Sequence, residues 1–456
     1  MKKEPAEVGG LTANRIISYG AGDFAFNLSF SFCSLFLLYF YTDVLGLSAT
    51  TGGIIIMVAL VWEGLTDPVI GMVVNRTRTR WGRYRPYLLF GAVPLGVSVV
   101  AMFLPIGLSG PALVAYSFTT HLVYRMIFAF VNIPYISLSA QMTRDSGTRG
   151  KLAGARMVFA IVCGLTMASL TLPLARAFGG GRMGFFLVSV LYTVVATGIL
   201  FVCFARTREI SDADALEHTG FKAMLDTLRV NWPFLVLLLA TVMGATGYTM
   251  SGKALVYYLK YWGGSEAMVT AGLVAVLGTA AVAMVPWLWV SRYTSKRNVW
   301  LAGASINMIA YLCMFLLAPK SGALLWVLLA ATGLGNAAFV LTFWSMLPDT
   351  VEFGEWKTGV RTEGAIFGLV SFAQKVAFGL GTGLIGVLLD QFGYVANQPQ
   401  SGETLRGIIT TYSLGPLLLF AASSVAIWWY PLDGRAHARL VSEIAGRRAN
   451  RSETAS

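Results

Sequence analysis

Apolar and polar positions alternate along this chain on the scale of long helices rather than strands. Runs of about 20 predominantly apolar residues, enough to cross a hydrocarbon core of roughly 30 Å, recur from end to end. Twelve can be read, at 17–43, 50–74, 87–106, 111–141, 152–176, 183–205, 231–262, 268–291, 298–318, 322–347, 362–390 and 407–431. The connections are short except for one, Thr207 to Asn231, which carries Glu209, Asp212, Asp214, Glu217 and Lys222. It divides the runs six and six. The pattern predicts an all-α membrane protein of twelve transmembrane helices. Its expected parts are an N-terminal half at 1–206, a cytoplasmic linker at 207–230, a C-terminal half at 231–431 and a cytoplasmic tail at 432–456. Two such halves are the usual build of a carrier whose substrate site lies near the bilayer midplane.

Composition agrees: 56% of residues are hydrophobic and 12% charged, where a soluble domain carries about 25% charged residues. The net charge of +12 would suggest nucleic acid in a soluble protein, but its distribution argues for a lipid surface. Arg76 to Arg85, Arg144/Arg149/Lys151, Arg206/Arg208, Arg292/Lys296/Arg297 and Lys357/Arg361 fall in alternate connections, while Leu45–Thr50 and Pro105–Pro111 hold no basic residue. That asymmetry predicts cytoplasmic termini and no nucleic-acid partner. Arg176, Arg182, Lys320 and Arg406 are exceptions. Cys33, Cys163, Cys203 and Cys313 have unrelated spacings inside apolar runs, with no disulfide or metal framework. The opening Met1–Pro5 reads as a short polar tail without a cleavable signal.

Polar groups inside the runs carry the candidate chemistry, because intramembrane charges are costly unless paired or used. Glu63 and Asp67 lie at i and i+4, one turn apart on one helix face, directly before the arginine-rich loop. Two carboxylates that close either share a proton or hold a cation, which suggests an ion-coupled carrier. Asp23 and Asn27 have the same spacing in the first span. In the fourth, His121, Arg125, Phe128 and Asn132 line one face. Arg125 there either forms a structural ion pair with Glu63 or another acid, or meets an anionic part of a substrate; His121 reads as a satisfied polar residue. Arg156 lies a turn inside span 5, Lys253 and Lys260 in span 7, and Gln374 and Lys375 in mid-span 11, where Lys375 needs an acid or water. Glu352, Glu355 and Glu363 read as ion-pair partners for Arg361 and the basic loops. Gly379 and Gly383 have the small-xxx-small spacing of close helix packing. Walker loops, Cys/His metal spacings and a Ser-His-Asp set are all lacking, so neither an enzyme nor a cofactor is expected.

Several longer motifs add to this: Tyr19-Gly-Ala-Gly-Asp23-Phe24; Tyr39-Phe-Tyr-Thr-Asp43 with Gly46 and Ser48; Asp67-Pro68 through Arg80-Trp81-Gly82-Arg83-Tyr84-Arg85-Pro86; Asn132-Ile133-Pro134-Tyr135; and Asp349 through Gly354-Glu355-Trp356-Lys357 with Arg361-Thr362-Glu363. Through them the chain resembles, over nearly its full length, the glycoside–pentoside–hexuronide:cation symporters of the major facilitator superfamily. The resemblance implies sugar uptake driven by Na⁺, H⁺ or Li⁺ through a monomer in a bacterial cytoplasmic (inner) membrane. It implies a cation site at Glu63 and Asp67, helped by Thr66 and Asn132, with Glu63 and Asp67 as metal ligands if the ion is Na⁺. It implies a sugar-binding set of Asp23, Phe128, Asn132, Arg156, Ser371 and Lys375, with Asn27 beside Asp23 and Trp344 near the family's span-10 tryptophan.

This sequence also departs from the family pattern. Asn132 stands where a second aspartate occurs, Ile136 where an aromatic, Ala129 where a hydroxyl and Leu60 near where an arginine occurs. Losing one sugar-clamping carboxylate while carrying Arg125 tilts the expectation toward an anionic substrate such as a hexuronide. Losing oxygen donors weakens a Na⁺ cage, and a proton needs only one acceptor of tuned pKa, so H⁺ is favoured over Na⁺. The alternatives are a lysolipid or amphiphile carrier of the same fold and a non-transporting membrane sensor or scaffold.

Overall fold

The computed structural model describes residues 11–143, 145–209, 227–360, 362–432, 436–437, 439–444 and 446. Expectations for Met1–Pro5, Arg144, Asp212, Asp214, Glu217, Lys222, Arg361 and most of the tail lie outside them. Among the described residues the chain is helical, and twelve helices are long and apolar enough to cross a membrane. They are α1 (Ala13–Tyr39), α2 (Ala49–Arg76), α3 (Arg85–Met102), α4 (Gly110–Met142), α5 (Ser146–Ala177), α6 (Gly181–Arg206), α7 (Trp232–Tyr257), α8 (Glu266–Val290), α9 (Lys296–Leu317), α10 (Ala323–Thr358), α11 (Glu363–Gln391) and α12 (Gly402–Trp428).

The helix contacts gather into two units. Unit 1 holds residues up to Leu47 together with Leu65–Ala215; unit 2 holds Ser48–Gly64 and the chain from Leu216 on. Helix α2 therefore contributes its first part to unit 2 and the remainder to unit 1. Within unit 1, α1 packs on α5 and α6, and α3 on α4 and α6; within unit 2, α7 packs on α11 and α12, and α9 on α10 and α12. The same pairing recurs six helices later.

Local features repeat as well. α1 and α7 each run on into a five-residue π-helical turn, Phe40–Val44 and Tyr258–Trp262. In unit 1, Arg85 after the arginine-rich loop donates to the Phe204 carbonyl (2.8 Å) at the end of α6. In unit 2, Arg297 of the basic segment between α8 and α9 donates to the Trp428 carbonyl (3.4 Å) at the end of α12. A cation at a helix C-terminus satisfies carbonyls that have no intrahelical donor. The two basic loops thus do the corresponding thing in each unit.

Two exceptions to the charge asymmetry find their reason in the π-helical turns. Arg182 donates to the carbonyls of Val44 (3.5 Å), Leu45 (3.3 Å) and Ile106 (3.0 Å), closing the end of the α1 extension. Lys320 stands 4.2 Å over the Trp262 ring, whose indole N–H donates to Ala318 O (2.9 Å). Arg182 is committed to these carbonyls and Lys320 to the Trp262 ring, so the bias that orients loops does not govern them.

Helix α10 ends at Thr358, three turns past the expected boundary at 347, because its charged last turns have partners. Lys296 donates to both Asp349 carboxylate oxygens (2.8 and 2.7 Å), and His437 of the tail lies 2.5 Å from Glu352. Gly359, at φ +72°, closes the helix by donating to Glu355 O (2.8 Å). Apolar content fades at Asp349, but the backbone bonding continues.

Candidate functional site

In unit 1 the site begins with two glycines. A Cβ at Gly20 would stand 2.8 Å from Phe159 and 3.0 Å from Ala155 Cβ on α5; one at Gly22 would stand 2.6 Å from the Tyr135 ring on α4. Their bareness lets both helices close on α1, where side chains the size of alanine would hold them off. Arg156 on α5 then reaches Asp23, with Nε 2.8 Å from Oδ1. Asn27, one turn along, donates Nδ2 to Asp23 Oδ2 (3.0 Å) and to the Asp23 carbonyl (2.8 Å). Both carboxylate oxygens are thereby engaged, which a buried carboxylate requires.

Tyr19 and Tyr135 floor this pair. Their rings stack at 4.8 Å, each hydroxyl donates to the other residue's backbone carbonyl (3.1 and 2.6 Å), and the Arg156 guanidinium lies 5.3 Å over the Tyr135 ring. From Tyr135 the aromatic contact continues to Phe26 (4.8 Å), then Phe128 (5.9 Å) and Phe30 (5.9 Å). Phe30 and Tyr124 flank Arg125 at 5.8 and 5.5 Å. Arg125, 3% exposed, donates Nε–H to His121 Nε2 at 3.0 Å. The accepting nitrogen must carry a lone pair, so this geometry assigns the proton of a neutral His121 to Nδ1. His121 thus meets Arg125 one turn along its own helix through Nε2.

Asp23, Asn27, Arg156, Phe128 and Arg125 thus form one continuous cluster of polar edges and aromatic faces. Asn132 lies a turn beyond Phe128 on α4 and is half-buried, as are Thr66 and Asp67 on α2.

In unit 2, the first part of α2 lies along α11. A Cβ at Gly53 would stand 2.9 Å from Thr382 O, and one at Gly64 2.8 Å from the Phe372 ring; Gly379 and Gly383 face Met57 at 3.2 and 3.1 Å. This is the close packing that the glycine spacing of α11 suggested. Asp390 accepts the N–H groups of Ala49 (3.1 Å) and Thr50 (2.8 Å), capping α2 from its neighbour. Toward the other end of the seam, Glu63, 2% exposed, receives Lys375 Nζ at 2.8 Å. The lysine that needed an acid has one.

The remaining expected sugar contacts are more open: Ser371 is exposed one turn before Lys375, and Trp344 is 47% exposed beside Phe343. Sequence reasoning passed over Phe26 and Phe30, gave Tyr19 a place in a motif but not in the site, and gave Lys253 no role. Lys253, buried on α7, donates to Thr382 Oγ1 at 2.6 Å, two turns along α11 from Lys375. A lysine inside an apolar run was the signal available. No cluster of three or more His, Cys, Asp or Glu side chains suited to a metal ion occurs among the described residues. On α2, Glu63, Thr66 and Asp67 follow one another within about one turn, with Glu63 buried and the other two half-buried.

Comparison with known proteins follows the same lines. A family model described as MFS/sugar transport protein matches residues 18–434. The glucuronide carrier protein homolog of Escherichia coli (strain K12) is 32% identical over 445 residues, 96% of each chain. The isoprimeverose transporter of Lactiplantibacillus pentosus is 31% identical over 427 residues, 91% of this chain and 88% of that one. A solved bacterial homolog of the human lysosomal transporter Spinster superposes with a TM-score of 0.70 at 13% identity, covering 95% of this chain and 99% of its own. That last likeness speaks for the fold alone.

Proposed function

Because this chain belongs to the glycoside–pentoside–hexuronide symporter family of the major facilitator superfamily, we propose that it carries an anionic sugar of the hexuronide class together with a proton. The observation behind the substrate class is one cluster holding a buried guanidinium, Arg125, and an aromatic wall, Phe30, Phe128 and Phe26. A pyranose has a flat apolar face that stacks on aromatic rings and a hydroxyl edge that needs hydrogen bonds. A uronide adds a carboxylate, for which arginine's planar fork is the matching donor. In this reading Asp23, Arg156 and Asn27 bind the sugar hydroxyls, with Asn132, Ser371, Trp344 and Lys375 as further contacts. A glucuronide carrier homolog among the relatives favours the same class, and an isoprimeverose transporter keeps a neutral glycoside as the competitor to exclude.

The preference for a proton rests on Glu63. Its carboxylate already holds an ammonium, Lys375, whose charge opposes a metal ion at the same oxygens. Protonating Glu63 removes the attraction that holds Lys375 and leaves the lysine able to turn to an anion. Proton and substrate then raise one another's affinity reciprocally. Asp67 and Thr66, with Asn132, complete the coupling group, and alternate exposure of the site would complete the cycle.

The test is uptake into proteoliposomes of radiolabelled hexuronides and neutral glycosides under an imposed proton or Na⁺ gradient. Proton-driven uronide accumulation, lost in Asp67→Asn while downhill exchange persists, is the expected result. Na⁺-driven uptake of neutral glycosides alone would overturn both the substrate class and the ion.

A further inference from the structure

Beside the arginine-rich loop, the surface of unit 1 carries a furrow of about 360 Å³. Tyr87, Phe90 and Pro94 of α3 form one wall and Ile127 and Phe130 of α4 the other, with Thr77 at the mouth. Helix geometry explains its depth. A Cβ at Gly91 would stand 2.4 Å from Val131 Cγ2, so the bare glycine lets α3 sink onto α4 while Phe90 and Pro94 stand on either side. From Pro86 to Pro94 the helix rises ~12 Å, close to one leaflet of a core roughly 30 Å thick. The furrow has the length and chemistry of an acyl chain's slot.

Its mouth is of another character. The hydroxyls of Thr77 and Tyr87 meet there at 2.7 Å. Trp81 packs edge-on against Phe90 with centroids 5.4 Å apart, and the Arg80 guanidinium lies 4.0 Å over the Trp81 ring. Arg76 and Arg78 are exposed on either side of Thr77. An apolar slot that opens between two hydroxyls beneath a stacked arginine selects for charge as well as for chain. Tryptophan at this level is the usual anchor to the headgroup region. The neighbouring Arg85 is committed elsewhere, to the carbonyls of Trp81 and Phe204.

We propose that this furrow is a binding site for one anionic phospholipid. One acyl chain lies between α3 and α4, and the phosphodiester sits among Arg80, Arg78 and the Thr77 and Tyr87 hydroxyls. Basic pockets between transmembrane helices hold such headgroups, and the acid shown against this loop, Glu209, is taken up by the N–H groups of Arg83, Tyr84 and Arg85. Substrate and coupling ion play no part in the argument.

Native mass spectrometry tests this on the full chain, delipidated and then offered equal amounts of phosphatidylglycerol and phosphatidylethanolamine. One phosphatidylglycerol is retained in preference. Arg80→Ala weakens that retention about fivefold, the effect of one arginine near a headgroup, and leaves phosphatidylethanolamine unchanged. Ile127→Trp fills the slot and removes the bound lipid, while thermal unfolding shows the fold intact. Equal retention of the two lipids by the wild type, or a preference that survives both substitutions, overturns the proposal and makes the furrow an ordinary lipid-facing surface. Should Ile127→Trp fail to fold, the exposed Arg80→Ala still decides.

Discussion

The Glu63 carboxylate on α2 and the Lys375 ammonium on α11 stand 2.8 Å apart, their side chains 3% and 21% exposed. So enclosed a pair adds little net stability, yet removing one partner strands a charge at a cost of about 3 kcal/mol. Glu63→Gln and Lys375→Met should each lower stability by about that amount, and the double variant should recover most of it. If the proposed coupling holds, the recovered protein should still lack uphill transport, since the double variant has neither Glu63 to take the proton nor Lys375 to be released. Thermal unfolding of the three variants in detergent, paired with accumulation in vesicles, reads both effects. Single variants as stable as the wild type would mean that the pair is solvated and uncoupled.

Arg125 offers a sharper test of substrate class. Buried between Phe30 and Tyr124 and tied to His121, it cannot be trimmed without losing a charge-assisted bond to any carboxylate it meets. Arg125→Ala should reduce uronide uptake by roughly tenfold or more, on the scale of one such bond, and change neutral-glycoside uptake little. Arg125→Lys should restore only part of the loss, because an ammonium lacks the planar fork. Uptake of every accepted uronide at the wild-type rate in Arg125→Ala would return this arginine to a structural role.

The twelve helices were legible because an apolar run of membrane length is seldom anything but a span, and the reading faltered where that logic ends. α10 outlasts its apolar stretch because Asp349 and Glu352 find partners in Lys296 and His437, contacts that hydropathy does not record. Pairs within one helix were legible from spacing: Asp23 with Asn27, and His121 with Arg125. Pairs across the chain were not. Periodicity says that Lys375 wants an acid but not that the acid lies 312 positions away, and Arg156 could be read as a charge a turn inside its span but not as the partner of Asp23, 133 positions away. Exposure was the least readable property. A membrane helix can be apolar on every side, so nothing along the run distinguishes exposed Trp344 from buried Phe343 beside it.

Glu209, at the start of the central connection, holds the arginine-rich loop. Its two carboxylate oxygens accept the N–H groups of Arg83 (2.7 Å), Tyr84 (2.8 Å) and Arg85 (2.9 Å) at the start of α3. These donors have no intrahelical acceptor, and the helix dipole favours an anion there. Gly82, at φ +105°, makes the approach feasible, since a Cβ would stand 2.5 Å from the Glu209 carboxyl carbon. Glu209→Ala should free the loop at a local cost of about 2 kcal/mol, which raises the open population roughly thirtyfold. Trypsin cleavage at Arg80 and Arg83 should accelerate accordingly while the helices stay intact, and Gly82→Ala should act alike. Unchanged cleavage in both variants would show that the loop is held by other contacts.

Asp145 makes stability depend on pH in a predictable direction. It caps α5, its Oδ2 accepting the Thr148 N–H at 2.7 Å, and hydrogen bonds from Thr148, side chain first and then backbone, hold its carboxyl below the ordinary aspartate value. A carboxyl more acidic in the folded than in the unfolded chain contributes fully above the unfolded value, about 3.9. The contribution disappears as pH falls through the folded value, where both states bind the proton. Asp145→Ala should therefore be less stable than the wild type at pH 7, and the difference should shrink below about pH 4. Asp145→Asn keeps a capping oxygen without the charge, so its difference from Asp145→Ala should not vary over the same range. Thermal unfolding of the three proteins from pH 7 to pH 3 separates the two effects. A constant gap between wild type and Asp145→Ala would assign the cap's value to its geometry, with the charge contributing nothing.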